Sequence, residues 1–243
     1  MAGFLTPSLL IDDNVMLDAG SFSYSLSFRQ QLAIDHVIVS HAHCDHVKDL
    51  AMFADLIIGH RKTPVYIYAS AGAMEVIRHD MFNNRLWPDF FSLPNPDNPV
   101  LKEAVFSTER PFRAGRLAVR AVPVCHSVES VGFIIRSPAG GSFVYTGDTG
   151  PTEQLWRMAN RRKKLKLVLV ETKFPNDLQV VADAAGHHTP RTLEQELKKI
   201  RAKDVQIGVY HLKPDRYELL LEQLGTLADP RLSIVKIGDR YRF

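Results

Sequence analysis

Apolar and polar positions alternate along the chain in short blocks broken by turn residues, and the blocks predict strands and helices in mixed succession. Leu9–Ile11 and Val15–Leu17 are short apolar runs on either side of Asp12-Asp13-Asn14, which reads as the turn between two strands. Asp35–Ser40 (DHVIVS) carries a Val-Ile-Val run that predicts a buried strand leading straight into His41. Val65–Tyr68, Leu117–Val122 and Phe133–Ser137 read as further strands, and Ser142–Thr146 follows the Gly140-Gly141 turn as another. Lys166–Glu171 (KLVLVE) and Val205–His211 (VQIGVYH) look like central strands that end in polar residues, and Ile234–Ile237 reads as the last strand.

The spacing turns helical at two places. Thr189-Pro190 offers an N-cap followed by proline at the first helical position, and Leu193, Leu197 and Ile200 then recur on one face. Glu194 and Lys198 form a favourable i,i+4 pair on the outer side. After Pro214, Tyr217, Leu220, Leu221, Leu224 and Leu227 make the second apolar stripe. The stretch 81–99 fits neither period. A loop of that length in a compact domain is usually functional or disordered, and its Trp87, Phe90 and Phe91 favour a packed, lid-like segment. With no internal repeat and no separating linker, residues 1–243 are expected to form a single α/β domain.

Composition narrows the function classes. Of 243 residues, 45% are apolar, enough for a large core. Basic residues number 30 and acidic residues 27, and a net charge of +3 is too small to argue for nucleic acid or a membrane surface. No apolar run is long enough to cross a bilayer. The opening residues MAGFLTPSLLIDDN carry neither a basic n-region nor a long apolar run, so no signal peptide is expected. Two cysteines, Cys44 and Cys125, in a chain too large to need a disulfide point to a reducing, cytoplasmic location. Both read as small buried filler.

The chemistry concentrates in His41-Ala42-His43-Cys44-Asp45-His46, four metal-ligand types within six residues directly after a predicted strand. A strand-end loop lets His41 and His43 converge on one ion, while Asp45 and His46, opening the next helix, turn toward a second. Imidazole and carboxylate suit zinc, and also manganese or iron. His126, Asp148 and His211 follow other predicted strands. Each alone is weak, since a lone strand-end histidine is usually a hydrogen-bonded core or surface residue. Together with the first cluster they make a seven-ligand set with Asp148 as bridge, able to hold two divalent ions about 3.5–4 Å apart.

His41-x-His43-x-Asp45-His46 with His126, Asp148 and His211 resembles the metallo-β-lactamase superfamily over essentially the whole chain. More narrowly, Ser40–His46, Phe82-Asn83-Asn84 with Trp87-Pro88, Gly147–Gly150, Val170–Phe174, Gly186–Pro190 and His211–Pro214 resemble the class II cyclic-nucleotide phosphodiesterases. The resemblance implies a four-layer αββα sandwich, a dinuclear metal centre and phosphodiester hydrolysis. A homodimer whose partner closes the active-site edge is implied by the resemblance only. The family usually carries an apolar residue where this chain has His188. The long insert by which tRNA-maturing relatives grip RNA is not evident.

By the same resemblance His187 is the catalytic histidine that binds no metal, oriented by either Asp183 or Glu171, and Asp45 joins it in the catalytic machinery. Neighbouring His188 is expected to line the pocket or face solvent. Trp87 could stack on a nucleobase, and Asn83 and Asn84 could hydrogen-bond base or sugar. For Phe90 and Phe91 core packing is the plainer role. The basic run Arg157, Arg161, Arg162, Lys163, Lys164 and Lys166 reads as a solvated helix end.

The leading expectation is a phosphodiesterase that opens a small 3′,5′-cyclic nucleotide such as cAMP to its 5′-monophosphate, through a hydroxide bridging two metals, zinc first among them. Its rivals are a thioester or lactone hydrolase, an RNA-processing nuclease of the same superfamily, and an inactive metal-binding nucleotide sensor.

Overall fold

The turn at Asp12-Asp13-Asn14 closes an antiparallel hairpin of β1 (Leu9–Ile11) and β2 (Val15–Leu17), with Asp12 and Asp13 both at positive φ (48° and 62°). Short polar side chains tolerate that left-handed region better than β-branched ones. The hairpin opens the first of two units into which the chain divides in this computed structural model, which describes residues 4–243.

The first unit, Leu5–Gly115, continues with α1 (Phe22–Ser25), α2 (Phe28–Leu32), β3 (His36–Ile38), α3 (Cys44–Val47), α4 (Asp49–Ile57), β4 (Val65–Ala69), α5 (Ala71–Val76), a π-helical turn at Ile77–Met81, β5 (Leu101–Val105) and β6 (Phe112–Ala114). Its sheet runs β1-β2-β3-β4-β5, parallel from β2 onward. Parallel pairing needs crossovers, and three connections supply them: α1–α2 from β2 to β3, α3–α4 from β3 to β4, and α5 with the segment after it from β4 to β5. Val37, Val39, Leu50, Phe53, Val65 and Ile67 are all buried in one core. The segment from Phe82 to Val100 has no regular element, and Phe82, Phe90 and Phe91 anchor it in that same core with Trp87 packed beside them.

The second unit covers Arg116–Phe243 and takes in Phe4. It holds β7 (Leu117–Pro123), β8 (Val131–Arg136), β9 (Ser142–Tyr145), α6 (Gln154–Ala159), β10 (Leu165–Glu171), α7 (Gln179–Ala185), α8 (Pro190–Leu197), β11 (Gln206–Tyr210), α9 (Tyr217–Gly225) and β12 (Leu232–Ile234). The strands run β12-β11-β10-β9-β8-β7, antiparallel among β7, β8 and β9 and parallel from β9 to β12. The parallel register pairs Tyr145 with Leu169 and Glu171 with Tyr210. The carboxyl ends of β9, β10 and β11 therefore lie side by side, which is where open α/β sheets place their ligands. Helix α8 starts as the sequence predicts: Thr189 caps it, with Oγ1 accepting from Thr192 N–H, and Pro190 is its first residue.

The boundary between the units is the turn Gly115–Arg116, which joins β6 to β7 and is too short for composition to betray. No helix of the described residues is long and apolar enough to cross a membrane.

Candidate metal centre

In the first unit the histidine cluster is built on the end of β3. Val39 N–H still bonds to Tyr68, and Ser40 then meets Asp18, which follows β2 at a positive φ of 55°. Ser40 donates twice, from N–H to Asp18 Oδ1 and from Oγ to Asp18 Oδ2, each at 2.7 Å. Its hydroxyl proton is thereby used, so in the 3.1 Å pair between Ser40 Oγ and His41 Nδ1 the imidazole donates. His46 Nδ1 donates to Asp18 Oδ2 at 2.7 Å. His41 and His46 thus carry their protons on Nδ1 and present Nε2 as the lone-pair nitrogen, the tautomer that metal-binding imidazoles hold when a neighbour fixes the other nitrogen. His41 Nε2 lies 3.1 Å from His43 Nδ1. Two nitrogens around one tetrahedral zinc would be about 3.3 Å apart. The His41 and His46 rings sit 4.2 Å apart between centroids. Asp45, in the first turn of α3, is half-buried.

In the second unit the ends of three parallel strands carry the donors. Asp148, fully buried, follows β9 through Thr146 and Gly147, and the Tyr210 hydroxyl pins that turn by donating to Gly147 O at 2.7 Å. His211, directly after β11, brings Nε2 to 3.1 Å from Asp148 Oδ2. His126 Nδ1 donates to Gly186 O at 2.9 Å, leaving Nε2 as its lone-pair nitrogen. Gly186 cannot be anything larger: it has φ of 67°, and a Cβ there would fall 2.6 Å from His126 Cα. Ligand atoms of His126, Asp148 and His187 all lie within 4.8 Å of one another. The chemistry of these donors, tied-off imidazoles beside a buried carboxylate, fits a divalent cation in both units.

Glu171, the last residue of β10, organises the histidine at 187. Its Oε1 accepts from Thr149 N–H at 3.1 Å, from His188 N–H at 3.4 Å and from His187 Nδ1 at 2.8 Å. Burial, and then the charge of Asp148, push this carboxyl well above the usual carboxylate range. Of the two orienting acids left open by sequence, Glu171 holds His187, while exposed Asp183 accepts from Gln179 Nε2 at 2.7 Å. His187 Nδ1 also lies 3.9 Å from Asp148 Oδ2, with the Phe174 ring 5.6 Å away. Lys173 Nζ is 4.0 Å from the same Asp148 oxygen.

Several expectations need correction. His188 does not face solvent: it is fully buried, with Nδ1 3.3 Å from Thr192 Oγ1. Cys44 and Cys125 are exposed, not buried filler. Each sits next to an inward-turned ligand, and the backbone points neighbouring side chains different ways. Asn83, expected at the substrate, gives its Nδ2 protons to the His79 and Asp80 carbonyls and takes Arg85 and Leu86 N–H on Oδ1. Asn84 Oδ1 accepts from Asp89 N–H at 2.9 Å. Both therefore build the 81–99 loop, and Trp87 packs on the core. Asp18 left almost no trace in the sequence; its only signal was an acid placed directly after a short apolar strand.

Comparison with known proteins agrees with this geometry. Residues 14–208 match the model of the beta-lactamase superfamily domain. A Yersinia pestis protein named probable 3′,5′-cyclic-nucleotide phosphodiesterase is 30% identical over 89% of this chain and 69% of its own length. An Aliivibrio fischeri 3′,5′-cyclic-nucleotide phosphodiesterase is 28% identical over 88% of this chain and 76% of its own. Among solved structures, unliganded yeast PDE1 superposes with a TM-score of 0.74 at 21% identity, over 86% of this chain and 68% of that one. The donor chemistry, the sheet topology and these matches agree: the chain belongs to the metallo-β-lactamase superfamily and is a metal-dependent hydrolase.

Proposed function

We propose that the protein hydrolyses a 3′,5′-cyclic nucleotide of the cAMP type, or a related small cyclic phosphodiester, to the 5′-monophosphate. On the sequence pattern, His41, His43, Asp45, His46, His126, Asp148 and His211 would be the ligands of two divalent ions, with Asp148 as the bridging acid. Zinc suits these nitrogen and oxygen donors best, with manganese or iron as alternatives. Two such ions supply Lewis-acid charge and a water acidified toward neutral pH.

The observation that carries the reading is the Glu171–His187 pair beside Asp148. Three N–H groups converge on Glu171 Oε1, so His187 must donate from Nδ1. That fixes the ring and leaves Nε2 as the nitrogen that holds or releases a proton. An imidazolium at this position can protonate the departing O3′ as the P–O bond breaks, with its Nδ1 held in place by Glu171 Oε1. The half-exposed Phe174 ring shields one side of the imidazole from water. The names of the Yersinia and Aliivibrio relatives support the phosphodiester as substrate.

The test is turnover of a panel of cyclic mono- and dinucleotides and of bis-p-nitrophenyl phosphate by metal-loaded protein, alongside a thioester and a lactone. A cyclic mononucleotide should be the best substrate, giving only the 5′-monophosphate. Preference for the thioester or lactone would overturn the reading.

A further inference from the structure

We propose that Lys173 is an anion-binding residue, holding a phosphoryl oxygen of the bound substrate and then of the phosphate product; the proposal rests on the phosphodiesterase reading above. Lys173 leaves β10 two residues after Glu171, and its backbone is clamped on both sides. Its N–H donates to His188 O at 3.2 Å, and its carbonyl accepts from Lys213 N–H at 3.3 Å. The clamp brings Nζ to 4.0 Å from Asp148 Oδ2, with a quarter of the side chain still exposed. The ammonium therefore approaches the same Asp148 oxygen as His187 and His211, and solvent reaches it.

That placement works against a merely structural role. A cation beside Asp148 repels any ion that Asp148 would hold, so a lysine kept only to neutralise the carboxylate would duplicate the metals and weaken their binding. The position makes sense if the ammonium meets a second anion. A cyclic phosphodiester is a monoanion and its 5′-phosphate product approaches a dianion, whereas thioesters and lactones are neutral at the reacting carbon. A flexible point cation here favours phosphoryl over acyl substrates.

The experiment uses zinc-loaded wild type, Lys173→Met and Lys173→Arg, with Lys173→Gln in reserve if the apolar variant misfolds. Inorganic phosphate and a 5′-nucleoside monophosphate are titrated by calorimetry, zinc is measured by elemental analysis, and turnover is followed on a cyclic nucleotide and a neutral lactone. For Lys173→Met the phosphate dissociation constant and the cyclic-nucleotide KM should rise by roughly 10- to 100-fold, the range of one charge-assisted hydrogen bond. Zinc content should not fall, the lactone KM should change far less than the cyclic-nucleotide KM, and Lys173→Arg should recover most of the loss. Weaker phosphate binding by Lys173→Met in a protein that turns over no cyclic nucleotide would sink the phosphodiesterase reading and leave Lys173 in its role. Phosphate affinity equal in wild type and Lys173→Met, no phosphate binding by wild type, or loss of zinc along with the lysine would each overturn the proposal.

Discussion

His46 gives its Nδ1 proton to Asp18 Oδ2 across 2.7 Å, with both side chains shut off from solvent. Asp18 accepts this hydrogen bond and two more from Ser40, and so sets the directions of His46 and, through Ser40, of His41. One carboxylate outside the ligand set thus orients two of the proposed ligands.

Asp18→Ala should weaken zinc binding by roughly 10- to 100-fold, the usual consequence of losing a partner behind a ligating histidine. It should also lower Tm, since three buried donors lose their acceptor. Asp18→Asn, which keeps one acceptor oxygen, should fall between. Competition with a chelator measures the affinities. Wild-type zinc affinity in Asp18→Ala would show that Asp18 serves the fold alone.

Asp148→Ala should cost far more metal than Cys44→Ala. Asp148 is fully buried at the end of β9 with His211 Nε2 at 3.1 Å, whereas Cys44 is exposed. In the proposed two-metal site, losing this carboxylate would leave two cations facing each other without the charge between them. Elemental analysis of both variants decides it, and equal losses would contradict the ligand assignment.

The sequence carried the site better than the fold. His41, His43, Asp45 and His46 were legible because four donors packed into six residues, directly after a Val-Ile-Val run, rarely arise in an ordinary polar loop. The strands from β8 to β11 were legible from their short apolar runs, and β7 from its alternation of apolar positions around Arg120. β5 was not, because Leu101–Val105 reads LKEAV and only Leu101 of the five is fully buried. β6 is three residues long, and α4 hides between two stronger signals. The last strand sits at Leu232–Ile234, not Ile234–Ile237, since its pairing with β11 starts opposite Ile207. Asp18, Glu171 and the Gly186 carbonyl could not be assigned from spacing, because their partners lie far away in the chain and only tertiary structure brings them together.

His187→Ala should keep its metal and lose turnover by roughly 10²- to 10⁴-fold, mainly in kcat. The loss should shrink for a p-nitrophenolate leaving group, which needs little protonation. Glu171→Gln should act in the same direction but more weakly, since the amide oxygen can still accept from Nδ1. Kinetics on a cyclic nucleotide and on bis-p-nitrophenyl phosphate separate the cases. Loss of zinc in His187→Ala would instead make His187 a ligand, as its closeness to His126 and Asp148 allows.

His188 predicts a pH dependence of stability with a definite sign. Thr192 Oγ1 donates to Thr189 O, so in the 3.3 Å contact His188 Nδ1 is the donor. Its Nε2 then carries a lone pair, buried, with no hydrogen-bond partner among the described residues. A proton there would make a buried cation without an acceptor, beside His187 and within reach of Lys199. Burial first, and then those two neighbours, lower the His188 pKa to about 3 from the ordinary 6.5. Between those values the unfolded chain takes up a proton that the folded chain refuses. Stability is therefore unaffected above pH 6.5 and declines as pH falls toward 3, by about 1.4 kcal/mol per pH unit. At pH 5 the accumulated loss is about 2 kcal/mol. His188→Leu keeps the volume and removes the titration, so its urea midpoint should fall less between pH 7 and pH 5 than that of wild type. The other titrating groups and any metal release are common to both chains and cancel in the difference. Parallel curves for the two proteins would mean that His188 accepts a proton in the folded state, and that its buried, neutral form is wrong.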